Sequence, residues 1–254
     1  MYTAAEIAKV FDECFPYADA CSYDNVGLLV GRENAVVKKA LIALDVTLEV
    51  IAEAKAEGAD LIVAHHPVIF REQKRVTDAT YTGKLILSLV ENGIAAIALH
   101  TNFDRAEGGN NDALAPLLGA VNYEKIEDGF ATEFDLPEEM TFACFAAKVK
   151  SALGDSVLRT IDCGKVRRVI ASCGAGIDES LILRAKDTGA VIVTADVKHN
   201  YAVMARDLNV GLIETSHYAS EWAFTREIER FMLEKFEGIE LTMSKRNINP
   251  YDAS

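Results

Sequence analysis

The chain is short of basic residues and of histidine, and it has no paired-cysteine motif. Lys and Arg total 26 against 39 Asp and Glu, a formal charge of −13. That balance argues against sequence-independent binding to nucleic-acid phosphates, which needs a basic surface. It leaves a nucleotide substrate open, because a bound divalent ion reverses the local field. The longest clean apolar run, Gly93–Leu99, is far below the ~20 residues of a membrane helix. The N-terminus lacks the basic start and unbroken apolar stretch of a signal peptide. The cysteines, at 14, 21, 144, 163 and 173, form no CxxC pair. An odd count in a chain of 254 residues reads as reduced, mostly buried thiols in a cytoplasmic protein. A GxxxxGK[ST] phosphate loop, a GxGxxG dinucleotide turn and a GxSxG nucleophile elbow are also missing.

What is present is ordinary globular composition, 50% hydrophobic and 26% charged. The length suits one large domain or two small ones. Ile7, Val10, Phe11, Cys14 and Phe15 follow the spacing of an amphipathic helix. Strands are predicted at 40–44, 61–64 and 95–99, with helices at 48–57, 81–91 and 112–118. The second half repeats the rhythm, with strands near 141–147, 169–172, 191–194 and 211–214. Its helices are predicted near 179–187, 201–207 and 220–234. Alternating strands and helices favour an α/β fold with a mainly parallel sheet. The acidic stretch 122–139, with Gly129 and Pro137, reads as the link between two α/β halves, 1–126 and 127–254. The tail 245–254 reads as a frayed or exchanged segment.

Four of the five histidines fall in three polar clusters, each directly after an apolar run. They are His65-His66-Pro67, then His100-Thr101-Asn102-Phe103-Asp104 running on to Gly108-Gly109-Asn110, and His217-Tyr218-Ala219-Ser220-Glu221. The C-terminal edge of an open α/β sheet is where ligands bind. Imidazole with carboxylate suits Zn, Mn, Fe, Ni or Co. A carboxylate such as Asp104 or Glu221 can bridge two cations, as in many hydrolytic sites. For each histidine taken alone, a hydrogen-bonded structural role competes with ligation; the clustering is what favours metal.

Together these clusters resemble the dinuclear metal-centre family of GTP cyclohydrolase 1 type 2. Tyr23-Asp24-Asn25-Val26-Gly27-Leu28-Leu29-Val30-Gly31 is similar to that family's N-terminal segment. The resemblance implies that His65, His66, Asp104, His217 and Glu221 ligate two divalent ions per chain. It implies two similar α/β halves around a central metal cleft, in the short form without an inserted domain, and assembly as a ring-shaped homohexamer. Ser216 and Ala195 stand where the family commonly has Gly.

The function expected from this resemblance is metal-dependent hydrolysis, concretely GTP ring opening with formate release. The alternatives are a metal-dependent phosphoesterase acting on a nucleotide or other phosphate ester, and a non-enzymatic metal-dependent binding or regulatory protein. The expected partners are a small-molecule substrate and further copies of the chain, with neither nucleic acid nor membrane. His100 is assigned an acid/base role or a role orienting a ligand. Asp24 and Asn25 read as a turn, Asp45 as a helix cap, and His199 and Asn200 as capping or ligand-supporting residues. Trp222 and the cysteines read as packing. Asp104→Ala or Glu221→Ala is expected to lower metal occupancy with the fold retained, as checked by elemental analysis beside circular dichroism.

Overall fold

The computed structural model describes residues 1–246 and 249–251. It is an α/β structure of two compact units, Met1–Phe103 with Phe224–Ile248 and Asp104–Ala223 with Asn249–Ser254. These units do not follow the expected 126/127 boundary, because the last helix and strand join the first unit. Strand Glu240–Met243 pairs in parallel with Lys39–Ala43, and Phe231 of helix Ala223–Lys235 stacks on Phe11 with centroids 5.5 Å apart. Of the tail 245–254, Lys245 N donates to Glu53 Oε1 at 2.9 Å. Positions 247–248 and 252–254 lie outside the described residues.

The first unit holds a five-stranded sheet in the order Glu240–Met243, Lys39–Ala43, Leu61–Ala64, Ala95–Ala98, Gly27–Val30. All its pairings are parallel except the last. Strands Leu61–Ala64 and Ala95–Ala98 are buried along their whole length, which is why they read as unbroken apolar runs. Helices Leu48–Glu57 and Tyr81–Glu91 make the crossovers, and each is N-capped by a threonine hydroxyl, Thr47 or Thr80. Their Ile51, Ala54, Leu85 and Leu89 pack with Leu41, Ala43 and Ile62 of the sheet. Helix Ala4–Cys14 starts in a capping box, with Thr3 and Glu6 each bonding the other's backbone N–H. It buries Ile7 and Phe11 but leaves Cys14 exposed.

The second unit holds a six-stranded sheet in the order Glu124–Ile126, Ala131–Thr141, Lys165–Ala171, Ala190–Thr194, Leu212–Glu214, Arg159–Ile161. Only the pairings of Ala190–Thr194 with its two neighbours are parallel, so the expectation of mainly parallel pairing fails here. Alternate residues of the central strands serve opposite faces. Val169, Val191 and Val193 pack with Phe142, Phe145 and Leu118, whereas Ile170, Ile192 and Leu212 pack with Leu181, Ile182 and Ala205.

Two further expectations fail in this unit. The stretch 122–139 is not a link; it supplies two strands of the sheet, and Ala131–Thr141 is the longest strand. Its Pro137 and acidic residues obscured the alternation, because only its first part is buried. The run 141–147 is not a strand but the start of helix Phe142–Leu153. Thr141 caps it by accepting from Cys144 N at 3.3 Å, and Phe142, Phe145 and Val149 form its buried stripe. A short apolar run is ambiguous by periodicity alone, and the cap decides it. Cys144 faces solvent, as do Cys14 and Cys163, so the thiols are not mostly buried. No helix among the described residues is long and apolar enough to cross a membrane.

Phe145 is fully buried among the helices and sheet of the second unit. Phe145→Ala should cost about 3–5 kcal/mol, read as a lower urea midpoint, whereas Phe145→Leu should lose less.

Candidate metal centre

In the first unit the parallel strands end together, and the polar residues follow at once. His65 and His66 come after Leu61–Ala64, His100 soon after Ala95–Ala98, and Asp45 after Lys39–Ala43. The antiparallel strand Gly27–Val30 begins at this same edge, with Gly27 paired to Ala98, which brings Asp24 to it. His65, His66 and His100 form a cluster that can hold a metal ion, with one ring nitrogen from each within 4.8 Å of the others. The His65 and His66 ring centroids are 4.9 Å apart, and those of His65 and His100 are 5.1 Å apart.

Each of these rings is anchored through Nδ1. His65 Nδ1 lies 2.7 Å from the carbonyl oxygen of Leu99. His66 Nδ1 lies 2.7 Å from Asp45 Oδ1. His100 Nδ1 lies 2.9 Å from Asp24 Oδ1. A carbonyl or an ionised carboxylate only accepts, so the proton of each neutral ring sits on Nδ1 and the lone pair on Nε2. A second anchor of this kind is the usual companion of a metal-ligating histidine.

The Asp24 side chain is fully buried. Burial alone would raise its carboxyl, but hydrogen bonds from His100, from the Thr101 hydroxyl and from the Asn25 backbone N–H outweigh it and hold it down at about 2. It is therefore ionised at neutral pH. Asp24 and Asp45 are thus not a plain turn and a helix cap; Thr47 provides that cap.

In the second unit the same construction recurs at three strand ends. Cys173 and Gly174 follow Lys165–Ala171, Asp196 follows Ala190–Thr194, and His217 follows Leu212–Glu214. Ser216 accepts from Ala219 N at 3.2 Å and so caps the five-residue helix His217–Glu221. The backbone at Ser216 is extended, φ −70°, so it has no need of glycine. Residues four apart on a helix share a face, and His217 Nε2 accordingly lies 3.0 Å from Glu221 Oε2.

His217 Nδ1 is 2.8 Å from Asp196 Oδ2. With its proton directed there, Nε2 and the Glu221 oxygen meet as two lone-pair bearers. Such a contact needs a cation or an extra proton to be stable. Asp196 reaches His217 from a left-handed backbone, φ 48°, which Asp tolerates better than most residues.

Asp104 lies in helix Thr101–Arg105 rather than in a loop. It is buried, accepts at Oδ1 from Asn110 Nδ2 at 2.8 Å and from Cys173 Sγ at 3.3 Å, and has an oxygen within 4.8 Å of one of Glu221. Burial first, then the neighbouring Asp104 and Glu221 carboxylates, push the Cys173 thiol well up, so it remains a protonated donor to Asp104. Gly174, at φ 55°, has no room for a side chain: a Cβ would stand 2.3 Å from Glu221 Oε1.

The predicted residues thus gather as His65, His66 and His100 in one unit and Asp104, His217 and Glu221 in the other. Their donor chemistry fits divalent transition-metal ions in both. The sequence reading missed Asp24, Asp45 and Asp196 as ring anchors, and missed Cys173 and Gly174. Their signal was position: each borders a strand at the edge that carries the histidines. His199 opens helix His199–Asp207, and Lys198, not His199, is its N-cap residue.

A family model, DUF34/NIF3 (NGG1p interacting factor 3), matches residues 2–250. The chain belongs to the DUF34/NIF3 family. A GTP cyclohydrolase 1 type 2 homolog of Clostridium perfringens is 32% identical over 257 residues, covering 97% of this chain and 98% of the relative. A GTP cyclohydrolase 1 type 2 of Helicobacter pylori is 30% identical over 229 residues, covering 88% and 89%. Among solved structures, the Bacillus cereus protein related to NIF3 matches with TM-score 0.91 at 25% identity, covering 100% of this chain and 99% of that one. Staphylococcus aureus protein SA1388 matches with TM-score 0.87 at 28% identity, covering 100% and 99%.

In this DUF34/NIF3 chain the carboxylate anchors are the testable part of the geometry. Asp45→Ala and Asp196→Ala should each weaken metal binding by about 10–100-fold, measured by competition with a chromogenic chelator, while the circular dichroism spectrum is unchanged.

Proposed function

We propose that His65, His66, Asp104, His217 and Glu221 hold two divalent ions per chain, drawn from Zn, Fe, Mn, Ni and Co, and that the protein is a hydrolase. The observation that carries this reading is the anchoring of His65, His66 and His217 through Nδ1, which turns the Nε2 lone pair of each to ligation. When bound, the ions supply Lewis acidity and lower the pKa of water. Buried Asp104 and Glu221 supply the charge such ions need. Asp24 fixes the His100 ring, so His100 exchanges a proton with the reacting groups at Nε2.

The substrate we propose is GTP, in line with relatives named GTP cyclohydrolase 1 type 2 and with homologs so named. Water adds at C8 of the guanine ring, one C8–N bond breaks to open the imidazole as a formamide, and a second water hydrolyses that formamide, so that C8 leaves as formate and the nitrogen stays on the pyrimidine as an amine. A ring-shaped homohexamer and a cytoplasmic setting belong to the same proposal. Native mass measurement tests the first and localisation of the tagged protein tests the second.

Protein loaded with each metal in turn should carry about two equivalents by elemental analysis and should release formate from GTP. Release of inorganic phosphate without formate would select the phosphoesterase reading instead. Tight GTP binding with neither product would leave a binding or regulatory protein.

A further inference from the structure

The second unit has a hollow of about 400 Å³ with His217 in its wall. Its volume is in the range of small-molecule sites. Arg159, Asp196, Glu214, Asn249 and Tyr251 line it. The C-terminal segment closes one side: Asn249 Nδ2 donates to Ser216 Oγ at 3.1 Å, and Asn249 Oδ1 accepts from Tyr251 N at 3.1 Å. Tyr251 is 80% exposed, so its ring is unspent as a packing element.

The charges of this hollow discriminate between ligands. Its wall carries Asp155, Asp196 and Glu214 against the single guanidinium of Arg159. That guanidinium is already paired with Glu214 Oε1, which also accepts from Val197 N at 3.0 Å. Asp155 is committed to the Thr215 hydroxyl and Ser216 N, each at 2.6 Å. Asp196 anchors His217 through Oδ2 while its side chain stays 58% exposed. A phosphate chain entering here would meet a surplus of negative charge. A flat heterocycle with N–H donors would meet carboxylate and amide acceptors and an aromatic face.

We infer that this hollow receives the purine base of a nucleoside, stacked on Tyr251 beside His217, with the phosphates outside it. The inference rests on the proposed nucleotide hydrolase and specifies which end of the substrate the second unit binds. The planar ring supplies donors to Asp196 and Asn249, and Tyr251 supplies stacking that any base accepts.

Equilibrium dialysis of the full chain with guanosine and, separately, with inorganic triphosphate tests it. Tyr251→Ala and Asn249→Ala should each weaken guanosine binding about tenfold and leave triphosphate binding unchanged. Tyr251→Phe should bind guanosine as the parent chain does. No guanosine binding by the parent chain, no loss in either alanine variant, or an equal loss for triphosphate would overturn the inference. The formate assay separates the two readings. Guanosine binding that depends on Tyr251, with no formate from GTP, keeps the base subsite and removes ring opening. Formate release with an unchanged KM in Tyr251→Ala keeps ring opening and removes the subsite.

Discussion

Four imidazole rings in this chain each present Nδ1 to an oxygen set by the surrounding backbone: the Leu99 carbonyl, Asp45, Asp24 and Asp196. The rest of the candidate chemistry depends on that constraint. A histidine free to turn or to change tautomer binds metal weakly and in several geometries. An acceptor at Nδ1 removes both freedoms and leaves one lone pair in one direction. The anchors are themselves held. Asp24 receives bonds from His100, the Thr101 hydroxyl and the Asn25 backbone N–H, and it stays ionised because these bonds outweigh the penalty of burial.

The anchors reach the rings because of how parallel strands end. Neighbouring parallel strands finish at the same edge, so residues far apart in sequence become neighbours there. Asp45, His66 and His100 follow three adjacent strands of the first sheet, and Cys173, Asp196 and His217 follow three adjacent strands of the second. The second sheet is antiparallel at both margins yet keeps parallel pairing where these residues emerge. Packing then refines the edge. Gly174 lets the backbone lie against Glu221 where any side chain would collide, and the Ser216 cap starts the short helix that sets His217 and Glu221 one turn apart.

The acidity of the chain fits this design. An excess of carboxylates disfavours phosphate unless a cation intervenes; in the function proposed above, bound metal would take the anionic part of the ligand and protein groups its uncharged part. Membership of the DUF34/NIF3 family and a shared fold do not by themselves choose the reaction, since one fold serves many chemistries. The local donor set carries that argument.

The α/β class, most of the crossover helices and buried strands, and the residues with metal-ligating chemistry were legible in the order of amino acids. Long buried strands leave unbroken apolar runs, amphipathic helices leave a 3.6-residue period, and scarce histidines stand out. That order did not determine the strand Ala131–Thr141, whose exposed acidic half hides its alternation, or the helix Phe142–Leu153, whose first turn is as apolar as a strand. The return of the last helix and strand to the first unit is visible in the fold alone, because pairing with Lys39–Ala43 joins positions about two hundred residues apart. The same holds for the ring anchors: in the sequence Asp24 reads as a turn, Asp45 as a cap and Asp196 as neither. A carboxylate's role is set by what lies within 3 Å of it, and at a sheet edge those neighbours come from other strands.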